Sequence, residues 1–481
     1  MKKSSATISL SFDARRANLP RIIVIVIALS VVLGMLLTDT IEEMSAYLLL
    51  ALVSSVPVAL WIWNGGVGIP ILPSISVMYF IYYAVPILRK NAEDFGPSEI
   101  LSAAVTVALF LTAATISWWL LLVTSRQRSD VPKIFSGSVL ERIMFLGLVL
   151  GVFYHVALYT GWLYWLGPAF GAFRSSMLTT ATAACFMLGH ARAQGSLRGR
   201  DWVLAVTGLG LMVILSWASL FLVNGMTYCL AAVFGYVITS RRVPWIFLLV
   251  AIAVIIIFHA GKESMRDKYW YVGSTSYGTE LSVTRVPALM AEWVGTGLTT
   301  IASNESYSSA IDRASLLNLL LRVQRLTPDY LPALEGKTYA FLPQMLVPRF
   351  IDPDKITSQE AMKMLNVYFG FQTVKQTQDT AVGWGLITEA YANFGRFGVF
   401  AVALLWGALC GSIERWSLGA PPISLPGLVA VVTMIQMLNV ELDVAGLLTA
   451  LFQSVAVIAM VFWLSGTLSK HRRPPPQRIN A

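Results

Sequence analysis

Charged residues are scarce in this chain. Only 13% of the 481 residues are charged, whereas 56% are hydrophobic. An average soluble domain carries about a quarter charged residues. The mean hydropathy is +0.67. A chain of this composition cannot cover itself with a water-soluble surface, so the composition argues against a soluble enzyme and predicts an all-α, polytopic membrane protein.

Cysteine and histidine are also few. Cys185, Cys229 and Cys410 all fall inside apolar runs, which predicts small core residues rather than disulfides or zinc ligands. The four histidines are scattered without metal-ligand spacing. The sequence also lacks a phosphate-binding glycine loop, an ATPase motif and an internal repeat. We therefore expect neither a metal nor a cofactor.

Long apolar runs recur down the whole chain, and they predict about twelve membrane-spanning helices. The expected spans lie near residues 21–38, 46–63, 67–88, 100–124, 141–160, 171–190, 202–221, 224–240, 243–260, 395–413, 424–439 and 444–467.

The basic residues give an orientation to these spans. They cluster in the N-terminal segment, in "SRQRSDVPK", "HARAQGSLRGR" and "SRR", and in the tail "SKHRRPPPQR". The alternate connections "TDTIEEMS", "YTGWLYWLGP" and "NVELDVAG" carry no lysine or arginine, and "RKNAEDFGPSE" is mixed. Because positive charge favours cytoplasmic loops, we predict a multi-pass protein of the bacterial inner membrane with both termini in the cytoplasm. The net charge of +9 is explained by these clusters, so nucleic acid is not an expected partner.

One connection is much longer than the others. Residues 261–383 separate an N-terminal bundle of about nine spans (1–260) from a bundle of about three (384–468), which a cytoplasmic tail (469–481) follows. The order of the spans predicts that 261–383 is a large extracytoplasmic, periplasmic loop. Its many aromatic residues suit either sugar binding or packing at the membrane interface, and the sequence leaves both open.

Arginines are the second feature of this loop. Arg266 continues the ninth span, Arg322 and Arg325 lie on an amphipathic helix before Pro328, and Arg349 follows a proline-rich stretch. A guanidinium group binds phosphate oxygens in a fork and keeps its charge at any working pH. The set predicts a diphosphate-binding pocket at the outer leaflet. Alternatively, each arginine extends its side chain along the lipid and places its guanidinium group among the phosphates of the membrane lipids.

The segment that enters the tenth span carries polar residues at helical spacing. Glu389, Asn393 and Arg396 share one face of a continuous helix, unless the helix breaks at Gly395. Glu389 is a candidate general base, or alternatively a structural cap that pairs with charges of the loop.

Two other acidic residues of the loop, Asp329 and Asp379, are competing candidates for the general base.

Two motifs in this region resemble a known family. "EGKTYAFLPQMLVPRFIDPDK", followed by "TAVGWGLITEAYANFGRFGVF", is similar to the large-loop signature of the Wzy-type O-antigen polymerases. The resemblance is at the level of motifs for residues 336–400 and only topological elsewhere. The positions that it implies are Gly336, Thr338, Tyr339, Pro348, Arg349, Glu389, Asn393 and Gly395.

The resemblance implies a GT-C-like membrane fold and a metal-independent glycosyltransferase. Such an enzyme joins polyprenyl-diphosphate-linked oligosaccharides into a surface polysaccharide on the outer face of the membrane. Tyr339 and Asn393 would then contact sugar, and the partners would be the lipid-linked substrate, membrane lipid and a chain-length regulator. An O-antigen ligase-like transferase and a flippase for lipid-linked sugar are the alternatives.

Overall fold

The computed structural model describes residues 28–90, 92, 94–124, 137–270, 283–303, 315–347, 352, 356–357 and 359–470. The regular elements in these ranges are helices. We number them in chain order: α1 Ala28–Leu37, α2 Ile41–Trp63, α3 Ile71–Leu88, α4 Pro97–Val123, α5 Gly137–Tyr159, α6 Phe170–Gln194, α7 Gly199–Trp217, α8 Leu222–Ser240, α9 Trp245–Trp270, α10 Val286–Ala302, α11 Leu316–Leu326, α12 Leu342–Leu346, α13 Glu360–Tyr368, α14 Gln376–Asp379, α15 Gly385–Ser417, α16 Leu425–Met437 and α17 Val444–Lys470.

The chain is an all-α, polytopic membrane protein. Within the described ranges, nine helices are long and apolar enough to cross a membrane: α2, α3, α4, α5, α7, α8, α9, α15 and α17. The three remaining expected spans coincide with helices of lower length or hydropathy. In the described residues α1 and α16 are short apolar helices, and α6 is long but contains six alanines, three threonines and two arginines.

The centre of the bundle is the packing of α15 against α4. Gly407 permits the closest approach, because a methyl group at this position would meet the backbone carbonyl of Ala114 at 2.1 Å. The amphipathic helix α11 lies across this pair and buries its leucines against it. The core that results holds one end of α15 firmly in place.

Part of the long connection folds back onto the bundle. Residues 261–270 continue α9, and α10 then runs antiparallel to α9. Gly297 lies against the carbonyl of Ile257, where an added methyl group would approach to 2.1 Å, and Trp293 donates a hydrogen bond to the carbonyl of Phe258 at 2.8 Å. Small residues thus let these two helices pack closely at the depth of the apolar part of α9.

Four helices meet at one end of the bundle. The C-terminal ends of α3 and α9 and the N-terminal ends of α15 and α17 lie around the short connection 438–443. A π-helical turn, Phe80–Ala84, interrupts α3 near this end and carries Tyr82 and Tyr83. Because π-turns reposition side chains, they often accompany functional sites.

Candidate functional site

The helix α15 is broken nine residues after its first residue, Gly385. Phe394 and Gly395 have non-helical backbone angles, and Gly395 has φ 61° and ψ −151°. Of the two arrangements predicted for this segment, the structure has the separate piece that ends at Gly395. Arg396 consequently leaves the face of Glu389 and Asn393, and its guanidinium group donates to the Ser102 hydroxyl on α4 at 2.8 Å.

The segment 334–339 closes the broken end of this first piece of α15. The backbone N–H groups of Leu334 and Glu335 donate to the carbonyls of Ala392 and Asn393 at 3.0 and 3.1 Å. These are carbonyls that the break leaves without helical partners. The two motifs that carried the family resemblance therefore dock onto each other.

The side-chain amide of Asn393 links the two motifs by hydrogen bonds. Its Nδ2 donates to the Thr338 hydroxyl and to the Glu389 carbonyl, both at 2.8 Å, and its Oδ1 accepts from the Gly336 N–H at 3.1 Å. Gly336 has φ +88° and lies against the ring of Phe394, so a side chain would be both strained and crowded there. Asn393 is fully buried, and its role here is to hold the site rather than to face open solvent.

Glu389 projects from this rigid piece into the protein and is fully buried. Its Oε2 accepts a hydrogen bond from the backbone N–H of Val444, the first residue of α17, at 2.7 Å. Its Oε1 has no donor within hydrogen-bonding distance in the described part of the chain, and the Thr338 hydroxyl is the side-chain donor that lies near the carboxyl. A buried carboxyl oxygen without a donor is costly, so such a group calls for a functional explanation.

A second buried carboxyl, Asp443, lies beside Glu389 and was missed by the sequence analysis. Its Oδ1 accepts from the N–H of Gly446 at 2.9 Å, and its Oδ2, like Oε1 of Glu389, has no donor among the described residues. Burial raises the pKa of Asp443. The signal that could have found it is the loop "NVELDVAG", which has acidic residues but no basic ones directly before a span.

Tyr339 lies beside the two buried carboxyls, Glu389 and Asp443. Its hydroxyl is buried without a described partner, and it is an electrostatic neighbour of both Glu389 and Asp443. Burial raises the pKa of Tyr339, with the two carboxyls adding to the effect, so this hydroxyl stays protonated and can donate. Its ring stacks on Phe394 at a centroid distance of 6.2 Å.

A group of basic residues lies near Glu441 in the connection 438–443. His259, Lys262 and Arg266 follow one another on one face of α9, and Arg89 at the end of α3 is their electrostatic neighbour. Lys262 is also close to Glu441. Burial raises the pKa of Glu441, although contacts with Tyr82 and Lys262 oppose this effect.

Two glycines let the motif "VGWG" press against this connection. A methyl group on Gly383 would meet Cβ of Glu441 at 2.7 Å, and one on Gly385 would meet the carbonyl of Val440 at 2.7 Å. The N–H of Gly385 donates to the Glu441 carbonyl at 3.0 Å. These contacts bring the start of α15 against the connection that carries both Glu441, beside Lys262, and Asp443, beside Glu389.

The predicted arginines make separate contacts. Arg266 donates to the carbonyl of Leu220 at 3.0 Å, Arg322 lies over the ring of Phe371, and Arg325 forms a two-pronged ion pair with Glu99 at 2.7 and 2.9 Å. Arg349 lies outside the described residues. Of the three described arginines of this set, Arg266 is the one that lies in the basic group on α9, and Arg325 has its charge balanced at the start of α4.

The competing acidic residues are less well placed than Glu389. Asp329 is exposed, just beyond the end of α11, and lies within electrostatic range of Tyr391. The backbone of Asp379 ends α14, but its side chain is outside the described part of the structure. In the ranges that the structure describes, no three His, Cys, Asp or Glu side chains come together as a metal site.

Comparisons with known proteins return no relative. No protein-family model matches this chain, and neither a curated protein nor a solved structure is similar to it.

Proposed function

We propose that this protein is a glycosyltransferase of the Wzy type, a polymerase that joins polyprenyl-diphosphate-linked oligosaccharide repeat units into a surface polysaccharide. The observation that carries the proposal is the buried Glu389 carboxyl with one free oxygen, held by Asn393 against the segment 334–339. The convergence of the two motifs also supports it.

The proposed chemistry starts from an activated donor, since a glycosyl diphosphate already carries a good leaving group. Oε1 of Glu389 is free to accept the proton of an acceptor hydroxyl, and the hydroxyl of Tyr339 can orient the sugar by donating a hydrogen bond. Glu389 is held in a fixed orientation toward the acceptor, because its carbonyl accepts a hydrogen bond from Asn393 and its carboxylate accepts one from the Val444 N–H.

The departing diphosphate needs positive charge rather than a base. Arg89, Lys262 and Arg266 provide it, because they group at this end of the bundle, where Lys262 interacts with Glu441. Pre-arranged cations stabilise a developing anion more effectively in a site from which water is excluded. Arg266 is the residue that the sequence analysis and this structural arrangement share.

The number of membrane spans and their orientation are part of the same proposal. We infer twelve spans in the bacterial inner membrane, cytoplasmic termini and a GT-C-like arrangement, with the site at the periplasmic end. The helix directions support this: α15 and α17 have their N-terminal ends at the site, and α3 and α9 their C-terminal ends, as twelve alternating spans require. A lipid-linked oligosaccharide and a chain-length regulator would be the partners.

A ligase-like transferase is the second candidate, since it would use the same donor and differ only in its acceptor. A flippase is less well supported. Its charges should line a path through the bundle, whereas these charges gather at one end, around the connection 438–443.

A matched pair of variants tests the role of Glu389. Glu414, at the other end of α15, is also buried and accepts from the backbone N–H groups of Ile71 and Leu72 at 2.7 and 3.0 Å. A glutamine retains an accepting oxygen in both positions. We expect Glu389→Gln to abolish glycan chain extension in a complemented deletion strain, and Glu414→Gln to preserve it, with both proteins present in the membrane.

The same assay separates the competing hypotheses. Normal glycan chain lengths in Glu389→Gln would show that this residue is not the general base. Shortened chains in Asp329→Asn or Asp379→Asn would assign the general base to the residue replaced. Disappearance of the Glu389→Gln protein alone would make the residue a structural cap. In a ligase, unpolymerised donor would still be transferred singly, so the size distribution distinguishes the two enzymes.

A further inference from the structure

The two buried carboxyls share one helix end. Glu389 reaches the first N–H of α17 and Asp443 caps its first turn, so both lie within one turn of the same helix. Each uses one oxygen in this way, and each has a second oxygen for which the described residues offer no donor. A structural cap needs only the first of these oxygens, and the paired free oxygens are therefore unexplained by capping.

Among the residues that the structure describes, little is present to neutralise two negative charges at this place. The titratable group that faces both carboxyls is Tyr339, and it carries no charge to offset them. Thr338 and Asn393 are neutral, Arg396 is turned away to α4, and Glu441 faces Tyr82 and Lys262 instead. Two like charges in such a place cannot both persist at neutral pH.

We propose that Glu389 and Asp443 hold a single proton between them, and that Asp443 thereby sets the charge of the group that receives the proton of the acceptor. The sharing stands on the arrangement alone. Its consequence for the reaction rests on the proposed function.

The proton balance of the transfer follows from this arrangement. Before transfer, the pair carries one proton and one negative charge. The O–H bond of the acceptor breaks and its proton goes to the pair, while the oxygen bonds to the anomeric carbon. The bond from that carbon to the diphosphate oxygen breaks, and its electron pair leaves with the diphosphate. The negative charge has then moved from the carboxyl pair to the leaving group, and the pair returns its extra proton to water.

Infrared titration of the full-length protein in lipid nanodiscs tests the sharing without any substrate. The carbonyl band of protonated carboxyls is followed against pH in the native protein, in Glu389→Gln and in Asp443→Asn. A shared proton gives two well-separated steps in the native protein and one intermediate step in each single variant. Glu414→Gln is the control, and it should lose its own contribution while the two separated steps remain.

Independent titration of the two carboxyls would contradict the shared proton. If the native titration equals the sum of the steps of the two single variants, the carboxyls are independent and the proposal is overturned. Should Asp443→Asn fail to fold, Asp443→Ser replaces it, because serine keeps an oxygen for the Gly446 N–H and removes the charge.

The glycan assay then examines the consequence for the reaction. We expect Asp443→Asn to shorten chains by lowering the extension rate roughly tenfold or more, and to alter its dependence on the pH of the medium. An unchanged rate and pH profile, together with separated titration steps, would uphold the shared proton and overturn its part in the reaction. If the native protein shows no separated titration steps, the shared proton is overturned. The role of Glu389 is then decided by the glycan assay of Glu389→Gln alone.

Discussion

Asn393 joins three parts of the chain through one amide. It contacts the carbonyl of its own helix, the hydroxyl of Thr338 and the backbone of Gly336, and it is fully buried. From the sequence we expected Asn393 to bind sugar. That role stays a prediction, and the hydrogen bonds add a structural reason for an amide here, because a carboxylate could accept at this position but could not donate twice.

Replacing Asn393 should therefore weaken the fold. We expect Asn393→Ala to lower the free energy of unfolding by about 1–3 kcal/mol, because the Thr338 hydroxyl and the Gly336 N–H lose their partners in a buried place. Heat denaturation of the purified protein in detergent measures the effect. Gln344→Ala, at an exposed position of α12, is the control, and an equal loss there would contradict the assignment.

Asp443 should make the stability of the protein depend on pH. Burial raises its folded pKa above the ordinary value of 3.8, so in the window between the two values the unfolded chain binds fewer protons and stability falls as the pH rises. The loss is about 1.4 kcal/mol for each unit of the shift. Asp443→Asn should flatten this part of the curve between about pH 4 and pH 6, and parallel curves for the two proteins would refute the prediction.

At the scale of helices, apolar runs predicted most elements but not their irregularities. The nine long apolar helices coincide with predicted spans, because a span needs only length and hydropathy. The break in α15 was one of two open alternatives, since a glycine inside an apolar helix is compatible with both. The contact of segment 334–339 with that break joins residues about 55 positions apart, and helical periodicity carries no information about such contacts.

The break itself should require glycine. The φ and ψ of Gly395 lie in a region that other residues adopt only under strain, although there is space for a side chain. We expect Gly395→Ala to cost about 1–3 kcal/mol in unfolding free energy and to reduce chain extension by moving Glu389. Gly210→Ala is the matched control: this glycine of α7 also has open space but lies inside a regular helix, so alanine should be neutral or slightly stabilising.

At the scale of the whole molecule, the distribution of basic residues predicts an orientation, and that orientation stays a prediction. The carboxyl pair could not be predicted, because Asp443 and Glu389 are 54 positions apart and belong to different helix ends. Their proximity depends on how α15 and α17 pack, which hydropathy does not specify.

Labelling of single cysteines tests the orientation. In a variant whose three native cysteines are replaced, Glu335→Cys should react with an impermeant reagent applied from the periplasmic side, and Asp130→Cys and Ser196→Cys should react only after the membrane is opened. Position 335 is exposed beside the site, and Ser196 follows α6. The reverse pattern would place the carboxyl pair on the cytoplasmic side and refute the proposed polymerase.

The buried cap that Glu414 provides for α3 has a consequence for how the protein is made. The first N–H groups of α3 have their acceptor 343 residues later in the chain. During translation the Leu72 N–H must therefore wait in the translocon or the lipid without this acceptor until α15 has emerged, whereas the Ile71 N–H also donates to the carbonyl of Ile69 at 2.9 Å. Since such donors are costly in hydrocarbon, the early bundle is expected to stay loosely assembled and accessible to membrane proteases, and ribosomes arrested before codon 414 should yield a nascent chain that is degraded rapidly.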